Sequence, residues 1–134
     1  MEFRQATNND IIDLCSLVLE YCEENKLNYN QESIMNYINF QLRSLPCFVA
    51  IHNKEIVGAI SWVLVPDAFD NKTSIAKKIA CFVSKDFRAA GTGTELLKLA
   101  EAKAKEAGAK RFYYSSTASP EGYNAFETEY VREL

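Results

Sequence analysis

The segment Arg88-Ala89-Ala90-Gly91-Thr92-Gly93 places a permanent cation and two glycines within six residues. Glycine lets the main chain approach an oxyanion closely, and several amides can then point at one spot. The segment lies between an apolar run, Ile79-Ala80-Cys81-Phe82-Val83, and a helical pattern beginning near Thr92. A helix N-terminus adds its dipole to those amides, so the arrangement suits a diphosphate, with Arg88 and Lys85 supplying charge. The plainer alternative is that Gly91 and Gly93 only allow a tight turn. The strand-turn-helix setting favours the anion site. A dinucleotide-binding fold would need G-x-G-x-x-G after the first strand and an acidic residue about twenty positions later, and neither is present.

Few other residues offer chemistry. His52 is the single histidine, which excludes a His-rich metal site, and no metal is expected. Cys15, Cys22, Cys47 and Cys81 form no C-x-x-C pair and read as buried free thiols. Glu32 and Glu55 are candidate bases, although solvated surface charge is their commoner role. Trp62 could line a substrate slot or fill the core. Lys77 and Lys78 could reach an acidic partner or a phosphate, or lie on a solvated strand edge.

The elements around these residues form one order. Met1 to Ala6 can be a strand, and Thr7-Asn8-Asn9-Asp10 has capping-box spacing before Ile11, Leu14, Cys15, Val18, Leu19 and Cys22. Ile34, Tyr37, Ile38 and Leu42 mark a second helix that ends before Pro46. A hairpin follows, with strands from Phe48 to Ile51 and Ile56 to Val65 about the turn His52–Glu55. Thr73 to Ser84 supplies another strand. A helix from about Thr92 to Ala107 stops at Gly108, and Lys110 to Ser115 returns as a parallel strand through a right-handed crossover. The fold class is α/β (α+β): β-α-α-β-β-β-α-β plus a C-terminal element, read as a short turn or helical piece and then a strand. One domain is expected over residues 1–134.

Residues Cys81 to Leu97, together with the exit Ala104-Lys-Glu-Ala-Gly-Ala-Lys110, resemble the GNAT superfamily of acetyltransferases, with the likeness running from Phe3 to about Ser116. The resemblance implies a mixed, mostly antiparallel sheet flanked by helices. It also implies acetyl-CoA as co-substrate and direct attack of an amine acceptor on the thioester. Main-chain groups of Phe82 and Val83 would bond the pantetheine arm, and amides of Arg88, Ala89, Ala90, Gly91, Thr92, Gly93 and Thr94 would surround the pyrophosphate. The flanking strands would splay apart, commonly at a bulge.

The family's usual strand glutamate is missing, since Ser74 to Cys81 contains no carboxylate. Its usual general acid is a tyrosine on a fourth helix. Asn124 to Tyr130 is reminiscent of that helix with altered spacing, which makes Tyr130, or else Tyr123, the candidate acid. Alternatively, Phe126 to Leu134 is a closing strand, the helix is shortened, and Tyr130 packs in the sheet.

The formal charge of −3 argues against a nucleic-acid surface. The longest apolar stretch is too short to span a bilayer, and the N-terminus lacks the order of a signal peptide, so no membrane contact and a cytoplasmic location are expected. A shortened sheet could leave an edge that pairs in a homodimer. Two readings stand: an N-acetyltransferase acting on a primary amine, and a catalytically weak acyl-CoA-binding regulatory module.

Overall fold

The computed structural model describes residues 1–118 and 126–134. Nine elements position the site: β1 (Glu2–Gln5), α1 (Ile11–Glu24), α2 (Gln31–Ser44), β2 (Cys47–His52), β3 (Glu55–Pro66), β4 (Ser74–Val83), α3 (Thr92–Glu106), β5 (Ala109–Ala118) and β6 (Phe126–Glu133). The strands form one sheet in sequence order. Every neighbouring pair is antiparallel except β4 and β5, whose parallel pairing requires the α3 crossover. The C-terminal element is the closing strand, and residues 126–130 belong to it rather than to a helix.

Alternation along the strands divides the core. Val49 packs with Leu14, Leu17, Val18, Ile34 and Ile38 of α1 and α2, whereas its neighbour Ala50 packs with Leu96, Ala100 and Ala104 of α3. Consecutive side chains point to opposite faces, so the helices lie on both sides of the sheet. Trp62 is fully buried on the α3 side and stacks on Phe48, with ring centroids 5.5 Å apart; it is a core residue. Tyr37, counted by periodicity with the α2 core, is 38% exposed.

Two irregularities matter for the site. In the β3–β4 ladder Ser61 faces Ala80 while Trp62 faces Lys78, so Ile79 is an extra, unpaired residue. Such a bulge bends its strand and increases the local twist. The β4–β5 ladder ends at Lys77 and Tyr113, two residues before the bulged Ile79. From Lys78 to Val83, β4 has no ladder pairing with β5.

The start of α1 is set by Asp10. Its buried carboxylate accepts the Thr7 amide at 2.8 Å and both terminal nitrogens of Arg4 at 2.8 and 2.9 Å. The Arg4 hydrogen bonds hold its pKa below the ordinary carboxylate value, against the opposing effect of burial. A depressed carboxyl pKa contributes stability above the unfolded value, near 3.9, that is lost as pH falls through the folded one. Asp10→Asn keeps the cap but removes the charge. It is expected to lower the urea-measured unfolding free energy at pH 7 by about 1 kcal/mol. Its difference from the wild type should shrink below about pH 4.

Candidate active site

Between β4 and α3 the chain makes a short 3-10 turn over Lys85–Ala90 and reaches Gly91 at φ +78°. That left-handed conformation strains any residue with a Cβ, which is why glycine stands here. Space above Gly91 is open: nothing lies within 4 Å of where a Cβ would be. Gly91 caps α3 with no side chain to receive the first helical amides. The amides of Thr92, Gly93 and Thr94 therefore lack intrahelical acceptors, and only at Glu95 does the ladder begin, with its N–H donating to the Gly91 carbonyl at 3.0 Å.

A cleft of about 420 Å³ adjoins this turn, lined by Tyr21 and Glu24 of α1, Phe82 and Val83 of β4, Arg88, and Gly93. Thr94 also lines it, Thr92 is buried, and Ala89 and Ala90 are exposed. Of the anticipated residues, Phe82, Val83, Arg88, Gly93 and Thr94 line one cleft, and Ala89, Ala90, Gly91 and Thr92 do not.

The two β4 positions behave differently. The Ser84 N–H donates to the Val57 carbonyl at 2.8 Å, which fixes the alternation of the antiparallel ladder. Phe82 then turns its main-chain groups to Ala59 of β3, while Cys81 and Val83 turn theirs into the opening beside β5. Of the two anticipated β4 residues, Val83 faces the opening with its main chain, as Cys81 does, and Phe82 faces β3. What Phe82 contributes to the cleft is its ring, packed edge-on against Tyr21 with centroids 5.1 Å apart.

Arg88 also departs from the expectation of a free cation. Its Nε donates to the Val83 carbonyl at 3.0 Å, and both terminal nitrogens donate to Glu24 at 2.5 Å. These bonds raise the Arg88 pKa and lower that of Glu24. Glu20, one turn earlier, accepts the Ser84 hydroxyl at 3.1 Å and the Lys85 amide at 3.0 Å. Arg88 is therefore a brace, and main-chain amides and the exposed Lys85 remain near the turn. Sequence reading missed Glu20 and Glu24; their i,i+4 spacing puts them on one face of α1, but only packing aims that face at the turn. It also missed Gly58, where a Cβ would lie 3.1 Å from Leu96 and 3.2 Å from Thr92, so the bare backbone lets α3 settle onto β3.

Other candidates fall away from the cleft. Glu32, Glu55 and His52 are exposed, and His52 lies against Phe87 at 5.0 Å. Lys77 is exposed over the Tyr113 ring. Tyr130 lies on β6 opposite Tyr114 and stacks on it at 5.3 Å, which is the packing alternative. Tyr123 lies outside the described residues. Among the described residues there is no group of side chains arranged to hold a metal, and no helix is long and apolar enough to cross a membrane. Between α1, α2 and the sheet, an apolar pocket of about 20 Å³ has room for roughly one water, and the unpartnered Ser61 hydroxyl is buried beside it.

Comparison with known proteins follows the same lines. The sequence profile of the acetyltransferase (GNAT) family matches residues 11–125. No curated protein matches by sequence. Among solved structures, a GNAT family acetyltransferase from Staphylococcus aureus is 17% identical, with 99% of this chain and 98% of that one covered and a TM-score of 0.72. A ribosomal-protein-alanine N-acetyltransferase from Brucella melitensis is 16% identical over the whole of both chains, with a TM-score of 0.71. An aminoglycoside 6'-N-acetyltransferase from Acinetobacter haemolyticus is likewise 16% identical, covering 91% of this chain and 82% of that one, at 0.69. At such identities the likeness is one of fold.

Cys81, in the cleft wall, and Cys47, in the pocket between α1, α2 and the sheet, are poor nucleophiles. Burial pushes Cys81 up and Cys47 up to about 12. At pH 7.5 iodoacetamide should alkylate Cys47 at least a hundredfold more slowly in the native protein than in urea, read by mass spectrometry of peptides. Cys81 should be protected in the same direction.

Proposed function

The chain belongs to the acetyltransferase (GNAT) family, and we propose that it moves an acetyl group from acetyl-CoA to a primary amine of a small molecule or protein. The observation that carries this reading is the junction of an open strand edge with an uncapped helix start. Free amides at Thr92, Gly93 and Thr94 suit a diphosphate, and the inward amide and carbonyl of Cys81 with the amide of Val83 suit the amides of a pantetheine arm. The fit is one of donors to acceptors: the turn offers N–H groups to an anion, and the strand edge offers alternating donor and acceptor to an amide chain.

When bound, the thioester supplies the activated acyl carbon. The protein's part is to hold that carbon still and to exclude water around it. The acceptor must arrive as a free amine; for a lysine-like amine at neutral pH, losing the proton costs roughly 4 kcal/mol. Burial raises the pKa of Cys47 and Cys81, which supports direct attack rather than transfer through either of them. The acceptor is given only as a class, because two structures equally distant from this chain are named for unlike acceptors, a ribosomal-protein alanine and an aminoglycoside. We place the activity in the cytoplasm, where acetyl-CoA and free thiols coexist.

The test mixes protein, acetyl-CoA and a panel of polyamines, amino acids, aminoglycosides and lysine peptides, and follows free thiol. Amine-dependent release is expected. Saturable binding with no release for any amine would instead identify an acyl-CoA-binding module. Gly91→Glu puts a carboxylate into the open space above the turn and strains the backbone. It should weaken acetyl-CoA binding at least a hundredfold by calorimetry, with an unchanged circular dichroism spectrum. Undiminished binding would remove the turn from the site.

A further inference from the structure

Lys78 is the first β4 residue beyond the last β4–β5 pair, and it sits beside the Ile79 bulge. Its half-buried side chain reaches across the opening, and Nζ donates to the main-chain carbonyl of Ser115 on β5. The ammonium thus stands in the gap itself, between strands that no longer pair. Its neighbour Lys77 points away to Tyr113, and among the described residues only the Ser115 carbonyl is bonded to this cation.

Its position along β4 can be compared with the reach of a coenzyme A arm. From the diphosphate to sulfur the arm has about thirteen bonds, or roughly 16 Å extended at peptide-like spacing. A strand rises about 3.3 Å per residue, so the same length runs from Val83 back about five residues, to Lys78. An arm anchored at the Gly91 turn and laid along Val83 and Cys81 brings its sulfur to this ammonium.

Building on the coenzyme reading above, we propose that Lys78 is a catalytic residue whose ammonium stabilises the thiolate leaving group. As the amine nitrogen bonds to the acyl carbon, the carbon–sulfur bond breaks and its electron pair remains on sulfur. Lys78 has three N–H donors, and the two not used by Ser115 can meet that charge. The proton lost by the amine ends on sulfur through solvent, leaving amide and free thiol. The competing role is structural, in which Lys78 only caps the Ser115 carbonyl.

The two roles separate in binding, without an acceptor. At pH 9 an ordinary thiol is largely ionised, so CoA should bind the wild type at least fivefold more tightly than desulfo-CoA, which has hydrogen in place of the thiol. Lys78→Met should bind both alike, and Lys78→Arg should keep most of the preference. With an accepted amine, Lys78→Met should lower kcat about a hundredfold while KM for acetyl-CoA stays within threefold. If wild type binds CoA and desulfo-CoA equally, the Lys78 assignment falls and the coenzyme reading stands. If neither binds, both fall. The wild-type comparison needs no variant, so it decides even if Lys78→Met folds poorly.

Discussion

The site depends on the point where β4 and β5 stop pairing. A parallel pair leaves no room for a ligand while its ladder is intact, because every inward amide and carbonyl already has a partner. The extra residue at Ile79 bends β4 at the position where pairing with β5 ends. Beyond it Cys81 keeps its main-chain amide and carbonyl, and Val83 its amide, unspent at an open edge, the Val83 carbonyl being taken by Arg88. A buried strand edge would be a defect elsewhere in a sheet. Here the open edge gives a chain-like ligand something to pair with, and Lys78 meets one of the β5 carbonyls exposed by the parting.

Charge at the phosphate turn is arranged differently from a simple cationic pocket. The Arg88 fork is filled by Glu24, and Glu20 holds the Ser84–Lys85 junction, so α1 is tied to the turn at two successive helical steps. Exposed ion pairs contribute little to stability. Their consequence is geometric: the turn, the start of α3 and the end of α1 form one braced unit around amides that remain free. Preorganised main-chain dipoles serve an anion without the rotamer entropy that a long basic side chain loses.

Packing puts that unit in place from below. Gly58 lets Leu96 and Thr92 approach the sheet, and the small residues Ala100 and Ala104 continue the close contact of α3 along it. α1 and α2 cover the opposite face, where Phe82 and Tyr21 join the cleft to the second core. The cleft therefore lies at the seam between the two hydrophobic layers, so its walls inherit rigidity from both.

Local chemistry by itself determined much of this protein. Helical periodicity set α1, α2 and α3, the polar turn at His52 to Glu55 set the hairpin, and Gly91 and Gly93 after an apolar strand marked the turn into α3. These are near-neighbour effects, carried by spacing and backbone freedom. What the sequence left open required contacts between residues far apart: Glu24 with Arg88 across 64 positions, Lys78 with Ser115 across 37, and the placement of Tyr130 on a strand opposite Tyr114. The registers of β3 and β5 decide which β4 main-chain groups face the opening, and a one-residue shift would exchange Phe82 for Cys81. No local pattern encodes a register or a bulge, because both follow from how whole strands meet, and that is settled only when the two cores close on the sheet.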